Sequence, residues 1–275
     1  MRVQYRKQWL RWHKGYEKYA VVRFQRMFKD LANNIPLDAL TEDNYKGVID
    51  GAIKENDFYI VYQDVYNYVG IKHGDRTGKQ INAQIKKIES KAFSLNDFIS
   101  LFERELLRYI LDRGGSRIRS VRFHYVKFIQ EIIATGLNDG KAIREITTDL
   151  QKLIKSRRWY RWQSLRIART ETTAAANFAA VTSSRVSGVV MQKEWISSLD
   201  ARTRRPPESH FDHYDMNGKI VPIDEEFNVS GEELLFPGDP NGSAGNVINC
   251  RCTVAQIPKR DKNGKLIRTN RIATL

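Results

Sequence analysis

Cysteine is nearly missing from these 275 residues: Cys250 and Cys252 are the only two, one residue apart. Neighbours that close cannot staple distant parts of a chain, which excludes a disulfide scaffold and leaves both thiols to be explained locally. Long apolar runs are also missing. No stretch approaches the roughly 20 residues needed to cross a bilayer, and Met1-Arg2-Val3-Gln4-Tyr5 lacks the charged-then-apolar layout of a secretory signal. The expectation is a soluble chain made in the cytoplasm, with no membrane partner. There is no Gly-rich phosphate loop, no His-Glu-x-x-His and no nucleophile elbow, so the usual signatures of nucleotide, zinc-protease and hydrolase chemistry are absent. Neither an internal repeat nor a compact helix-turn-helix or zinc-finger spacing is present.

What is abundant is positive charge, +14 in all, and it is unevenly spread. Met1 to Asn34 carries nine basic residues against Glu17 and Asp30. Lys152 to Arg169 carries seven and no acid, interleaved with Trp159, Tyr160 and Trp162. Glu208 to Asp239 runs the other way, nine acids against Lys219. Such polarity suits a protein that meets phosphates with one part and protein with another, although a charge run is most often a solvated face. Arg2, Arg6, Lys7, Arg11, Lys155, Arg157, Arg158 and Arg161 are the candidates for non-specific contact with double-stranded DNA. The three tryptophans 159, 162 and 195 read as core or interface anchors rather than base-stacking platforms.

Periodicity makes the first two-thirds helical. Tyr5, Trp9, Trp12, Tyr16, Tyr19, Val22 or Phe24, Met27 and Leu31 recur at three- and four-residue steps up to the stop at Pro36. A second pattern from about Glu42 carries Tyr45, Ile49, Ile53, Ile60 and Val65, and is expected to end in an exposed loop at His73-Gly74-Asp75-Arg76-Thr77-Gly78. Ser94 is an N-cap for a helix through Phe98, Leu101, Leu106 and Ile110 that ends at Gly114-Gly115. A helix over about 116–134 follows, then a turn at Asn138-Asp139-Gly140. Ala142 to Leu153 and Trp159 to Ser187 make two more helices, the last closed by Gly188. Beyond Gly188, Val189-Val190-Met191 and Trp195-Ile196 look like a strand, and Pro, Gly, Asn and Asp become frequent. The fold class expected is α+β: a helical, basic region over 1–140, a domain over 141–257 with helices to 188 and short strands and loops after, and a basic tail over 258–275.

Between Arg166 and Cys252 lies an ordered series: Arg169-Thr170-Glu171, Ala175, Asn177, Lys193-Glu194-Trp195, Asp200, Arg202-Thr203-Arg204, His213, Gly218, Phe227, Pro237-Gly238-Asp239-Pro240 and Asn249-Cys250-Arg251-Cys252. Taken together, in this order, it resembles the Mu F-like head-protein family over roughly residues 140 to 257. One departure is the long insert Arg205 to Asp212, which leaves His210 and His213 competing for one family position. His213 is favoured, because His213-Tyr214-Asp215-Met216-Asn217-Gly218 approaches an Asn-Gly turn as the family does.

The resemblance implies a minor capsid protein of a tailed bacteriophage that acts in head morphogenesis. It would lie in the virion, inside the head near the portal, and contribute to DNA packaging or DNA ejection. Its implied partners are the portal protein, scaffold or major capsid protein, and genomic DNA. The alternative is a metal-dependent nuclease or toxin-like enzyme carried in the virion, since His210, Asp212, His213, Asp215 and the cysteines form a dense polar cluster; a sequence-specific DNA-binding protein ranks last. We expect no enzyme.

Physically, Cys250 and Cys252 point to one side of an extended strand, so with His213, and with His210 or Asp212, they could form a tetrahedral structural zinc site. The competing reading is two small core cysteines and a loop-capping histidine. Asp200 with Arg202 and Arg204 reads as an ion-pair network, and Arg169 and Glu171, two apart on a helix, as fasteners facing different ways. Trp195, Gly218 and Pro237 complete the structural set.

Overall fold

The structure, a computed structural model, describes residues 2–85, 94–110 and 115–269, and not the side chains of Lys155, Arg157, Arg158 and Trp159. Among these residues the order is α1 (Arg2–Asn33), a 3-10 turn (Leu37–Ala39), α2 (Tyr45–Ala52), α3 (Glu55–Ile85), α4 (Leu95–Tyr109), α5 (Gly115–Asn138), α6 (Ile143–Lys155), α7 (Arg157–Arg185), β1 (Met191–Ile196), β2 (Ile220–Pro222), β3 (Phe227–Val229), β4 (Glu232–Leu234), α8 (Ala244–Val247) and β5 (Thr253–Pro258). This is the expected α+β arrangement, a long helical region followed by a small sheet-and-loop region. No helix among the described residues is long and apolar enough to cross a membrane.

The sheet is antiparallel in the order β2-β1-β5, and β3 and β4 form a separate hairpin. In the central pairing Trp195 stands opposite Val254 and Glu194 opposite Ala255. Helix α7 is the axis of the molecule. From Thr170 to Ser184 every residue is buried, which explains why this stretch is mostly alanine, serine and threonine: small side chains let α1, α3 and β5 approach it closely. One buried cluster runs from Trp9 to Val254 and takes in both cysteines.

Two expectations about helices meet different outcomes. Ser94 does cap α4, its Oγ accepting from Asp97 N at 3.3 Å. The exposed loop expected at His73–Gly78 is instead the interior of α3, with His73, Gly74, Thr77 and Gly78 buried. The glycines there permit close packing rather than a turn: a Cβ on Gly70 or Gly74 would lie 2.0 Å from the Phe102 or Phe98 ring. Tertiary packing thus overrides a local composition that reads as a breaker. Of the Gly114-Gly115 stop, Gly114 lies outside the described residues and Gly115 opens α5.

Candidate metal centre and its supports

His213, Cys250 and Cys252, distant in sequence, meet in the core with their ligating atoms all within 4.8 Å of one another. His213 Nδ1 is 3.6 Å from Cys250 Sγ and 3.7 Å from Cys252 Sγ. All three residues are buried. The loop after β1 delivers the histidine. Ser197 Oγ donates to the His213 carbonyl, and Trp195 sets its ring edge-on against the imidazole at 5.4 Å.

The orientation of the ring is fixed from behind. Asn246 Nδ2 donates to Glu232 Oε2 at 3.0 Å, so its Oδ1 faces His213 Nε2, 2.6 Å away, as an acceptor. Nε2 therefore carries the proton, and the Nδ1 lone pair is turned on the two sulfurs. The thiols share their hydrogen-bonding: the contact with Cys252 draws the Cys250 thiol down, helped by Arg204 and Arg251, while the same contact and burial push Cys252 up. The Cys252 amide also donates to Cys250 Sγ at 3.4 Å, an arrangement that favours a thiolate there.

The backbone of the Cys-x-Cys segment is gripped by helix side chains. Thr173 Oγ1 donates to Cys250 O at 2.6 Å, Trp9 Nε1 to Arg251 O at 2.7 Å, Asn177 Nδ2 to Cys252 O at 3.1 Å and Tyr5 OH to Val254 O at 3.1 Å. Asn177 does more than this. Its Nδ2 also donates to Pro237 O at 2.8 Å, and its Oδ1 accepts from Thr253 Oγ1 and Val254 N. Tyr5, Trp9, His13 and Glu17 form a stripe along α1, and the last two extend the grip: His13 Nε2 lies 2.9 Å from Thr173 Oγ1, and Glu17 takes Arg169 at 2.9 Å.

Each residue singled out from the sequence has a place. Arg169 joins Glu17 to Asn249, whose Oδ1 accepts at 3.2 Å. Glu171 accepts from Tyr66 OH at 2.7 Å and lies 3.8 Å from Arg117; burial raises its carboxyl above the usual range. Asp200 pairs with Arg251 at 2.8 Å rather than with Arg202 or Arg204. Arg202 is exposed, and Arg204 donates to Ile248 O. Gly218, at φ 93, closes the Asn-Gly turn and donates its N–H to Trp195 O at 2.8 Å; a Cβ there would press on Arg2.

His210 is exposed, with its ring against Phe211, and stands apart from the three-residue cluster. Asp212 Oδ1 is taken by the Asp215 amide. Among the DNA candidates, Arg2 is paired with Glu194, Arg6 is half-buried, and Lys7, Arg11 and Arg161 are exposed. The side chains of Lys155, Arg157 and Arg158 lie outside the described residues.

Sequence reasoning missed Asn246, Thr173, Trp9, His13 and Arg117 as supports. Only the Trp9–His13–Glu17 spacing, one helical turn per step, signalled a shared face. It also missed the fate of Lys193, fully buried, donating to Ile223 O at 2.7 Å and lying over the Phe227 ring; desolvation pulls its ammonium down to about 7.

The His-Cys-Cys cluster is buried, and the segment that carries both cysteines is pinned carbonyl by carbonyl to α1 and α7. Residues 127–255, a little under half of the chain, match the family described as Phage Mu protein F like protein. The chain is 30% identical over 148 residues to the NAD(+)-arginine ADP-ribosyltransferase EFV of Enterococcus faecalis, a match covering 53% of this chain and 28% of that protein. It is 25% identical over 153 residues to the uncharacterized protein YqbB of Bacillus subtilis, covering 55% of this chain and 48% of that one. The chain thus spans under half the length of either relative. No solved structure matches.

Proposed function

We propose that this chain is a minor head protein of a tailed bacteriophage, a structural component bound at the portal vertex inside the head that contributes to head assembly and to packaging or ejection of DNA. The observation that carries the reading is the convergence of the Mu F-like signature. Asn177, Trp195, His213, Gly218, Pro237 and the two cysteines are far apart in the chain, yet they meet through backbone hydrogen bonds or core packing, and Arg169 ties Asn249, beside Cys250, to Glu17. Binding of portal, scaffold or shell belongs to the same proposal, as does contact with the packaged genome. The test is the particle itself. A few copies per virion at the portal vertex is the expected result, and absence from both procapsid and virion would overturn it.

The His-Cys-Cys cluster fits zinc. With metal bonds of about 2.3 Å to sulfur and about 2.05 Å to nitrogen, a tetrahedron places the two ligand atoms about 3.6 Å apart, the separation seen between Nδ1 and each sulfur. His213, Cys250 and Cys252 would hold the ion, and Asn246 would orient the imidazole, as a hydrogen-bond acceptor behind a ligating histidine commonly does. The ion would supply cross-linking energy to a loop-rich domain with little apolar core of its own. The three residues supply three of the four ligands of a tetrahedral site; burial of all three keeps DNA from the remaining position, which favours a structural role over a nuclease. Divalent-metal-dependent cleavage of plasmid DNA that His213→Ala abolishes would reverse that choice.

A further inference from the structure

Away from the metal centre, α5, the first half of α7 and the α8 loop enclose a cavity of about 550 Å³. Its walls are apolar and aromatic, with Tyr125, Phe128, Tyr160 and Val247 among them. The polar residues at its mouth include neutral Ser120 and Gln163, and none of the exposed ones is acidic. Arg166 and His124 line it and are exposed, whereas Glu171, the only carboxylate among the lining residues, is buried and faces Arg117. Apolar surface continues past the rim: Trp162, one helical turn before the lining Arg166 on α7, is 57% exposed.

We propose that this groove docks an acidic segment of another head protein, one that inserts a bulky apolar side chain between α5 and α7 and sets a carboxylate against Arg166 and His124. Three features select that occupant. The volume suits a single large side chain with its neighbours, the size of an interface anchor pocket. The exposed Trp162 extends the surface beyond what a small molecule would cover, and aromatic residues with arginine at an apolar centre are the composition that carries interface energy. The mouth carries the Arg166 guanidinium, and its one acid faces Arg117 in the interior, so an acidic partner finds a complementary charge that a basic or neutral one does not. The proposal deepens the assembly role above by naming the surface, and it stands or falls separately from the portal location.

The test uses the full chain as bait for a random peptide display library. The expected result is enrichment of sequences pairing Leu, Phe or Trp with Asp or Glu. Their affinity should fall at least about tenfold, the usual loss at an interface anchor, in Ala244→Trp, which fills the mouth, and in Arg166→Glu. Both variants should keep the parent's thermal unfolding midpoint. No enrichment, a basic or neutral consensus, or binding indifferent to both substitutions would overturn the proposal. So would a concentration-dependent dimer in sedimentation that Ala244→Trp abolishes, because the occupant would then be a second copy of this chain.

Discussion

Asn246 Oδ1 lies 2.6 Å from His213 Nε2, and Asn246 is held in that orientation by Glu232. Two side chains, one on α8 and one on β4, thereby decide which imidazole nitrogen faces Cys250 and Cys252. If the cluster binds zinc, the purified chain contains one equivalent by elemental analysis, and His213→Ala or Cys252→Ser contains none. Asn246→Ala keeps the ligands but loosens the ring, so zinc affinity in a chelator competition falls about 10- to 100-fold. Metal-free protein of full stability, with unchanged stability in His213→Ala, would leave the cysteines as core residues only.

Asn177 is the densest of the supports, with both amide groups committed to Pro237, Cys252, Thr253 and Val254. Asn177→Ala strands several buried donors and acceptors at once, each costing about 1–3 kcal/mol. The expected loss in denaturant unfolding is at the upper end, about 3 kcal/mol or more. Asn177→Leu, which restores volume but no hydrogen bonds, recovers little of it. A loss below 1 kcal/mol would mean that these bonds are not what holds the Cys-x-Cys strand to α7.

Acid sensitivity should come from beneath α1. Burial lowers the imidazole of His13 to about 4, with Arg169 and Arg251 adding to the effect and Glu17 opposing it. Burial lowers His73 further, to about 3, aided by Arg76 and His13; its two ring nitrogens are buried without a hydrogen bond, enclosed by Trp9, Trp12 and Tyr16. The unfolded chain takes up these protons near pH 6.5, the folded one does not until about 4 and about 3. Stability therefore falls as pH drops from about 6.5, and this contribution levels off near 3. His73→Phe should reduce that fall across the range and remove its part below about pH 4 in thermal melts between pH 3 and 7. An unchanged slope would place the acid sensitivity elsewhere.

Gly74 turns a misread segment into a measurement. Its missing Cβ accommodates the Phe98 ring, so Gly74→Ala forces α3 and α4 apart and should cost about 1–3 kcal/mol. Were the segment the exposed loop its composition suggests, the same change would be neutral or slightly stabilising. Chemical denaturation of the single variant separates these outcomes.

How much of this could be read beforehand depended on the kind of signal. The α1 stripe, the Ser94 cap and the long α7 follow from spacing and capping chemistry, which are local. The Cys-x-Cys pair and His213 were legible as a possible set because ligand chemistry restricts which residues can join. Asn246, Thr173 and Trp9 were not, because an amide, a hydroxyl or an indole fits many roles and only the fold decides which carbonyl it meets. Arg251 shows the same limit: Arg202 and Arg204 stand beside Asp200 in sequence, yet the return of the chain into β5 beside β1 brings the distant Arg251 to it. The buried α3 glycines failed in the opposite direction, since helix packing and turns both favour glycine and local composition cannot separate them.

Charge was legible as composition but not as surface. Arg2 stands in the basic arm, yet it is spent on Glu194. Lys7, Arg11, Lys14 and Lys18 are exposed and follow one another at single-turn intervals along α1. On the reading that α1 faces packaged DNA, these four release counterions from the duplex, each contributing about 0.9 to the slope of log affinity against log salt. Replacing all four with Gln should lower that slope by about 3 to 4 units, uniformly across DNA sequences. Arg2→Gln should leave the slope unchanged and instead reduce stability, because it uncouples α1 from β1. A slope that responds to Arg2→Gln but not to the four exposed substitutions would remove DNA contact from this face of the helix.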